Sequence, residues 1–338
     1  MTYKSNKIQD RNARAGGRAS IDNIDNFKNL YVDKFKPLRT PKLNVQKIFS
    51  PYSVERLPDF IMNTYKFNAL EFGNWVNQVR RLDFCLNMVA GLYDLQNVLK
   101  FKNNNLGFNL IEISFGARGM AKAYAHYEPA QKVINLTRDR RVDKFVNDQS
   151  IHVDDANTYK AISEYLRKDL SGYGSFAHEY GHALDYILAE KYTKENRSLS
   201  GGAENLFSFK KPVEAYKHFN SVCKNGNDLQ DNFKNCFEAF LFTKGKPTSF
   251  YKRVYMYAEK KSDYWSRFNE IWARIFETYI AYKLYQKGVK DFVLNRGGKG
   301  KYRDEDKNYL NYYPSFGELG KHVKKVDRFV ETINKYIK

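Results

Sequence analysis

Two of the six histidines, His178 and His182, flank a glutamate in the run His178-Glu179-Tyr180-Gly181-His182. On a helix, side chains four residues apart lie on one face, a turn apart, so both imidazoles can reach a single metal ion. Glu179 is rotated about 100° around the axis from His178, which points its carboxylate at a water beside the metal instead of at the metal itself. That is the donor set of a hydrolytic zinc site. Zn2+ lowers the pKa of a water toward about 7, and the glutamate takes the proton and returns it to a leaving amine. The chemistry implied is hydrolysis of a polarised carbonyl.

A catalytic zinc needs a third protein ligand and an open fourth position. No third histidine follows at a useful distance, because His182 is succeeded by Ala-Leu-Asp-Tyr-Ile-Leu. A glutamate from a second helix is the other solution, and the stretch Asn269–Tyr279 offers Glu270 and Glu277. Seven residues apart, they fall on nearly the same face, so spacing does not choose between them. Either can also be read as a surface carboxylate pairing with Arg274 or Lys283. Asp185, three residues beyond His182, is placed to orient an imidazole from behind. His126, His152, His218 and His322 have no ligand-like spacing.

These residues must be positioned by surrounding elements. The zinc helix is expected over 175–190, opened by Ser175 and preceded by the turn Ser171-Gly172-Tyr173-Gly174, which ends a short helix. Upstream, apolar residues at helical spacing predict a helical part over 46–100. A strand at Leu110–Phe115 and a hairpin over Tyr124–Leu136, bent at Glu128-Pro129, predict a sheet within 108–137. Val133–Leu136 is read as an edge on which an extended peptide would pair. Downstream, helices are expected near 213–222 and 233–242, then a Lys-rich connector, the third-ligand helix over 267–286, a charged loop at 295–308 and a C-terminal helix over 316–336.

The balance of 57 Lys and Arg against 38 Asp and Glu gives a net charge of +19, and 16% of residues are aromatic. Residues 1–45 are polar and basic, read as a flexible arm outside a single domain over 46–338. Such charge attracts phosphates without reading sequence, so non-specific nucleic acid is a possible partner. The absence of an apolar leader and of any 18-residue apolar run predicts a cytoplasmic protein that does not contact a membrane. Cys85, Cys223 and Cys236 stand far apart and suggest neither a disulfide framework nor a thiolate metal cage.

Several blocks together resemble the first of the large polyvalent-protein-associated domains, a phage and mobile-element family that looks like zincin metallopeptidases. They are Phe67–Val76, Phe115-Gly-Ala-Arg-Gly119, His126-Tyr-Glu-Pro129, Val133-Ile-Asn-Leu-Thr137, His178–Asp185, Tyr264-Trp-Ser266 and Ala273-Arg-Ile-Phe-Glu277. The likeness spans about residues 65–315. The helix His178–Tyr186 is also similar to the zinc helix of the anthrax lethal factor type of zincin. That resemblance implies Glu270 as third ligand, opening Glu270-Ile-Trp-Ala273-Arg-Ile-Phe276, and Tyr264 as the donor that stabilises the oxyanion. It further implies an α+β zincin fold, mainly helical with a small mixed β-sheet over the active-site helix, and a zinc metalloendopeptidase acting on a protein or peptide. Virion components become possible partners, and delivery within a phage particle a possible route into a host cytoplasm. The alternative is a basic virion or DNA-associated structural protein with the same fold.

Overall fold

The computed structural model describes residues 35, 37–50, 52–73, 76, 78–117, 124–137, 172–193, 198–201, 212–295 and 312–337. The basic arm up to residue 34, Arg118-Gly119 of the Gly-flanked turn, His152, the helix expected before Ser171 and most of the 295–308 loop lie outside the described residues. The 46–338 stretch divides into two compact units, the first running to Phe176 and adding Gly288–Arg296, the second covering 177–287 and 297–338.

The first unit is built on a four-stranded mixed sheet. Its strands are β2 (Ala69–Phe72), β3 (Glu112–Phe115), β4 (Ala125–Glu128) and β5 (Val133–Leu136), in the order β2-β3-β5-β4. β2, β3 and β5 run parallel and β4 pairs antiparallel with β5. The parallel β2–β3 pair needs a long crossover, supplied by helix α3 (Gln78–Leu99) after the shorter α1 (Gln46–Phe49) and α2 (Leu57–Tyr65). Period-two alternation puts Leu70, Phe72, Ile113, Phe115, Ile134 and Leu136 on one face, all buried. There Phe84 of α3 stacks on Phe115 with ring centres 4.4 Å apart and meets Phe72 edge-on at 5.7 Å. The tight loop before the helix that starts at Phe176 is held against this sheet. Gly172 has φ +71°, and a Cβ there would stand 2.8 Å from the Thr137 carbonyl, so only glycine fits.

Two expectations are corrected here. The 46–100 region is not wholly helical, because Ala69–Phe72 is a strand whose four residues are all buried, an apolar pattern too short to carry a period. Val133–Leu136 is not an edge, since β5 is hydrogen-bonded to β3 on one side and β4 on the other, leaving β2 and β4 at the rims.

Among the described residues, the second unit is helical apart from the small hairpin β6 (Phe242–Thr243) and β7 (Lys246–Pro247). Its helices are α4 (Phe176–Tyr192, whose first residue belongs to the first unit), α5 (Pro212–Val222), α6 (Asp228–Leu241), α7 (Ser249–Lys261), α8 (Phe268–Gln286) and α9 (Phe316–Tyr336). The Lys-rich connector expected before α8 is largely α7. Thr248 caps it, accepting from the Tyr251 N–H at 3.2 Å, and Phe250, Tyr251, Val254 and Ala258 form its buried stripe. Four Lys and Arg on its remaining surface hide that stripe in the sequence. Ser315 and Glu318 form a capping box on α9, and Glu318 also takes both Arg253 nitrogens of α7 at 2.7 and 2.8 Å. Phe233, Phe237, Trp272 and Phe329 interlock in the core, with Phe233 4.8 Å from Trp272 and 5.4 Å from Phe329. Among the described residues no helix is long and apolar enough to cross a membrane. The three cysteines are buried and free.

In the first unit the pair β1 (Arg39–Thr40) and β8 (Lys290–Asp291) is clamped to α3 by Arg39, whose Nε and Nη2 reach Asp94 at 2.6 and 3.1 Å. Asp291 accepts from the N–H groups of Val293 and Leu294 at 2.8 and 3.1 Å. Burial, together with Asp94 beside it, pushes the Asp291 carboxyl well above the usual carboxylate range. The folded chain therefore holds a proton there that the unfolded chain releases near pH 4, so the stability contributed at this site falls as pH rises above about 4. Asp291→Asn, which mimics the protonated acid, should flatten that slope in urea unfolding at pH 5 and pH 8. An unchanged slope would refute the assignment.

Candidate metal centre

α4 and α8 supply the centre, and all its residues belong to the second unit. His178 and His182 project from one face of α4 with ring centres 5.0 Å apart. Glu270 comes from the first turn of α8. His178 Nε2 is 3.4 Å from Glu270 Oε2, and His182 Nε2 is 3.4 Å from Glu270 Oε1. One ligand atom from each of the three residues lies within 4.8 Å of the others. Four-coordinate zinc with bonds of about 2.0–2.1 Å at tetrahedral angles holds its ligand atoms about 3.3 Å apart. Glu270 Oε2 is moreover buried with no hydrogen-bond partner. A buried carboxylate oxygen without a donor, facing two imidazole nitrogens at that spacing, fits a cation.

The electrostatics agree with the geometry. Burial disfavours the charged imidazole, but the Glu270 and Glu277 carboxylates outweigh it and raise His178 to about 10. Burial likewise works against the Glu270 carboxylate, yet His182 and His178 hold it well below the usual carboxylate range. Imidazole and carboxylate thus each favour the charged form of the other.

Glu179, the residue after His178, is buried on the same helix turn. Tyr264 lies in the short turn Asp263–Ser266, capped by Ser262 and leading into α8, and keeps 39% of its surface exposed. Burial and the neighbouring Glu270 carboxylate raise its pKa, with Glu179 adding to the effect. Glu270, Glu179 and Tyr264 thus act on one another across a small region.

The remaining candidates have separate places. Glu277 is 1% exposed; its Oε2 is 3.5 Å from His178 Nδ1 and accepts from the Tyr313 hydroxyl at 2.8 Å. Asp185 does not hold an imidazole: its two oxygens accept from the Ser200 N–H at 2.8 Å and the Ser200 hydroxyl at 2.5 Å, tying down the loop after α4. The surface pairings considered for Glu270 and Glu277 are absent among the described residues. Arg274 is buried and donates to the carbonyls of Trp265 and Tyr312 at 2.8 and 3.2 Å, while Lys283 pairs with Asp327 at 2.9 Å. His126 pairs with Glu128, His218 stacks on Phe268 and His322 meets Phe240 edge-on.

Sequence reasoning passed over Gly181. A Cβ there would lie 3.2 Å from both Ala273 Cα and Phe276 Cβ, so the absent side chain lets the backbones of α4 and α8 approach. Trp272 Nε1 closes the contact by donating to the Gly181 carbonyl at 3.1 Å. The signal was a glycine inside a helix, which costs about 1 kcal/mol and calls for a packing reason. Gly181→Ala should recover about that propensity and lose about 1–3 kcal/mol to overpacking. A lower thermal midpoint is expected, whereas a raised midpoint would contradict the close-approach argument.

Residues 256–337 match the family model described as large polyvalent protein-associated domain 1. The matched segment includes Tyr264, Glu270, Glu277 and Tyr313 and runs to the end of α9, while α4 with its two histidines and the strands of the first unit fall before it. No curated protein and no solved structure matches the chain.

Proposed function

We propose that this protein is a zinc-dependent endopeptidase of the zincin type that cuts a protein substrate, encoded by a phage or mobile element. The observation that carries the proposal is the convergence of His178, His182 and Glu270 within 4.8 Å, with Glu179 beside them on the same turn. The match to a polyvalent-protein domain supports the mobile-element setting and possible virion partners.

His178, His182 and Glu270 would hold the metal. Bound there, Zn2+ supplies a Lewis acid that polarises the scissile carbonyl and acidifies a water. Glu179 accepts a proton from the attacking water and delivers it to the leaving amine nitrogen as the C–N bond breaks. Tyr264, kept protonated by its raised pKa, donates a hydrogen bond to the oxygen that becomes negative.

Elemental analysis should find one zinc per chain, lost in His182→Ala. Glu179→Gln should retain the zinc and lose about 10²- to 10⁴-fold in hydrolysis, read as new termini in a bacterial extract by mass spectrometry. Tyr264→Phe should cost about 10²- to 10³-fold. A wild type that takes up no zinc, or a Glu179→Gln variant cleaving at the wild-type rate, would end this reading.

A second, compatible reading follows from the net charge of +19: association with nucleic acid through phosphates. DNA affinity should fall steeply as salt rises, show no sequence preference and weaken on deletion of residues 1–45. Salt-indifferent binding would exclude the electrostatic account.

A further inference from the structure

We infer that Glu277, held by Tyr313, is a positioning residue that fixes the ring of His178 through Nδ1, so that Nε2 is the nitrogen presented to the metal. The inference rests on the zinc reading above and assigns Glu277 a role other than that of a ligand.

The two nitrogens of His178 face two carboxylates of the same helix: Nε2 is 3.4 Å from Glu270 Oε2, and Nδ1 is 3.5 Å from Glu277 Oε2. The seven-residue spacing that made the two glutamates indistinguishable in sequence sets them two turns apart, one on each side of the imidazole. Glu270 belongs to the three-residue cluster able to share an ion, and Glu277 does not. A neutral imidazole that offers Nε2 to a metal carries its proton on Nδ1 and needs an acceptor there. Nδ1 is buried and makes no hydrogen bond at this distance, so a shortening of a few tenths of an ångström toward Glu277 would complete one.

Glu277 is itself held. Its Oε2 accepts from the Tyr313 hydroxyl at 2.8 Å, and both side chains are buried. The backbone next to Tyr313 is anchored by Arg274, which donates to the Tyr312 carbonyl at 3.2 Å and reaches the Trp265 carbonyl at 2.8 Å. Among the described residues His182 has no equivalent, because the nearby Asp185 is committed to Ser200. The two imidazoles are therefore inequivalent, with His178 the one locked from behind.

The test uses the full chain, with zinc affinity measured by competition with a chromophoric chelator and the visible spectrum recorded after cobalt(II) substitution. Glu277→Gln should weaken zinc about 10- to 100-fold and alter the cobalt bands, at unchanged stoichiometry. Tyr313→Phe, which keeps the ring and its packing, should shift both readouts in the same direction by less. Asp327→Asn, which removes the partner of Lys283 and Tyr279 elsewhere on α8, controls for simple destabilisation and should leave affinity and spectrum alone. Wild-type affinity and spectrum in both Glu277→Gln and Tyr313→Phe would overturn the inference and leave the zinc reading standing. Loss of stoichiometric zinc in Glu277→Gln with retention in Glu270→Gln would overturn it by making Glu277 the ligand. A wild type that binds neither metal would remove the zinc reading and this inference together.

Discussion

Backbone contact between α4 and α8 at Gly181 is the constraint on which the centre depends. Two helices carrying ordinary side chains at their crossing stay 8–10 Å apart. Here the missing Cβ at Gly181 admits Ala273 and Phe276, and the Trp272 indole N–H locks the approach to the Gly181 carbonyl. Glu270 lies one turn before Ala273 on α8, and His178 and His182 bracket Gly181 on α4. The 3.4 Å separations between Glu270 and the two imidazoles are a direct consequence of how closely the helices touch. The aromatic core around Phe233, Trp272 and Phe329 supplies the burial that holds them there.

That closeness concentrates charge. Glu179, Glu270 and Glu277 are all buried in the second unit, with Arg274 buried alongside. Carboxylates are rarely taken out of water without hydrogen bonds or counter-charge. Tyr313 serves Glu277, the imidazoles serve Glu270, and a divalent cation between the imidazoles is the addition such a group of acids favours. Asp185 shows the contrasting case on the same helix: burial raises it to about 6 against the pull of the Ser200 hydrogen bonds and His182, and its task is to hold a loop.

The segment matched by the family model contains Glu270, Tyr264 and the Glu277–Tyr313 pair, but not the histidines. Arg274 connects these parts, because its guanidinium binds the carbonyl of Trp265 in the Tyr264 turn and that of Tyr312 beside Tyr313, and lies 5.5 and 5.8 Å from the two rings. The C-terminal part of the second unit is thus one continuous support for the α8 face of the centre.

Local chemistry made much of this legible from the residues alone. The His178–His182 pair and the offset of Glu179 follow from helical period, and the C-terminal helix was expected over 316–336, the bounds at which the structure, with its Ser315–Glu318 capping box, has it. What depended on distant partners was not legible. Glu270 and Glu277 share a face of α8, and only the depth at which α4 crosses that helix separates ligand position from support. Asp185 has suitable spacing for an imidazole, but Ser200 reaches it first. Val133–Leu136 reads as any short apolar strand, and its central place comes from two neighbours, one of them β3, which pairs with it although β4 lies between them in sequence. Residue order determines which side chains share a face; which faces meet, and how closely, was decided by tertiary packing, because burial and close approach are properties of pairs of elements and not of either one.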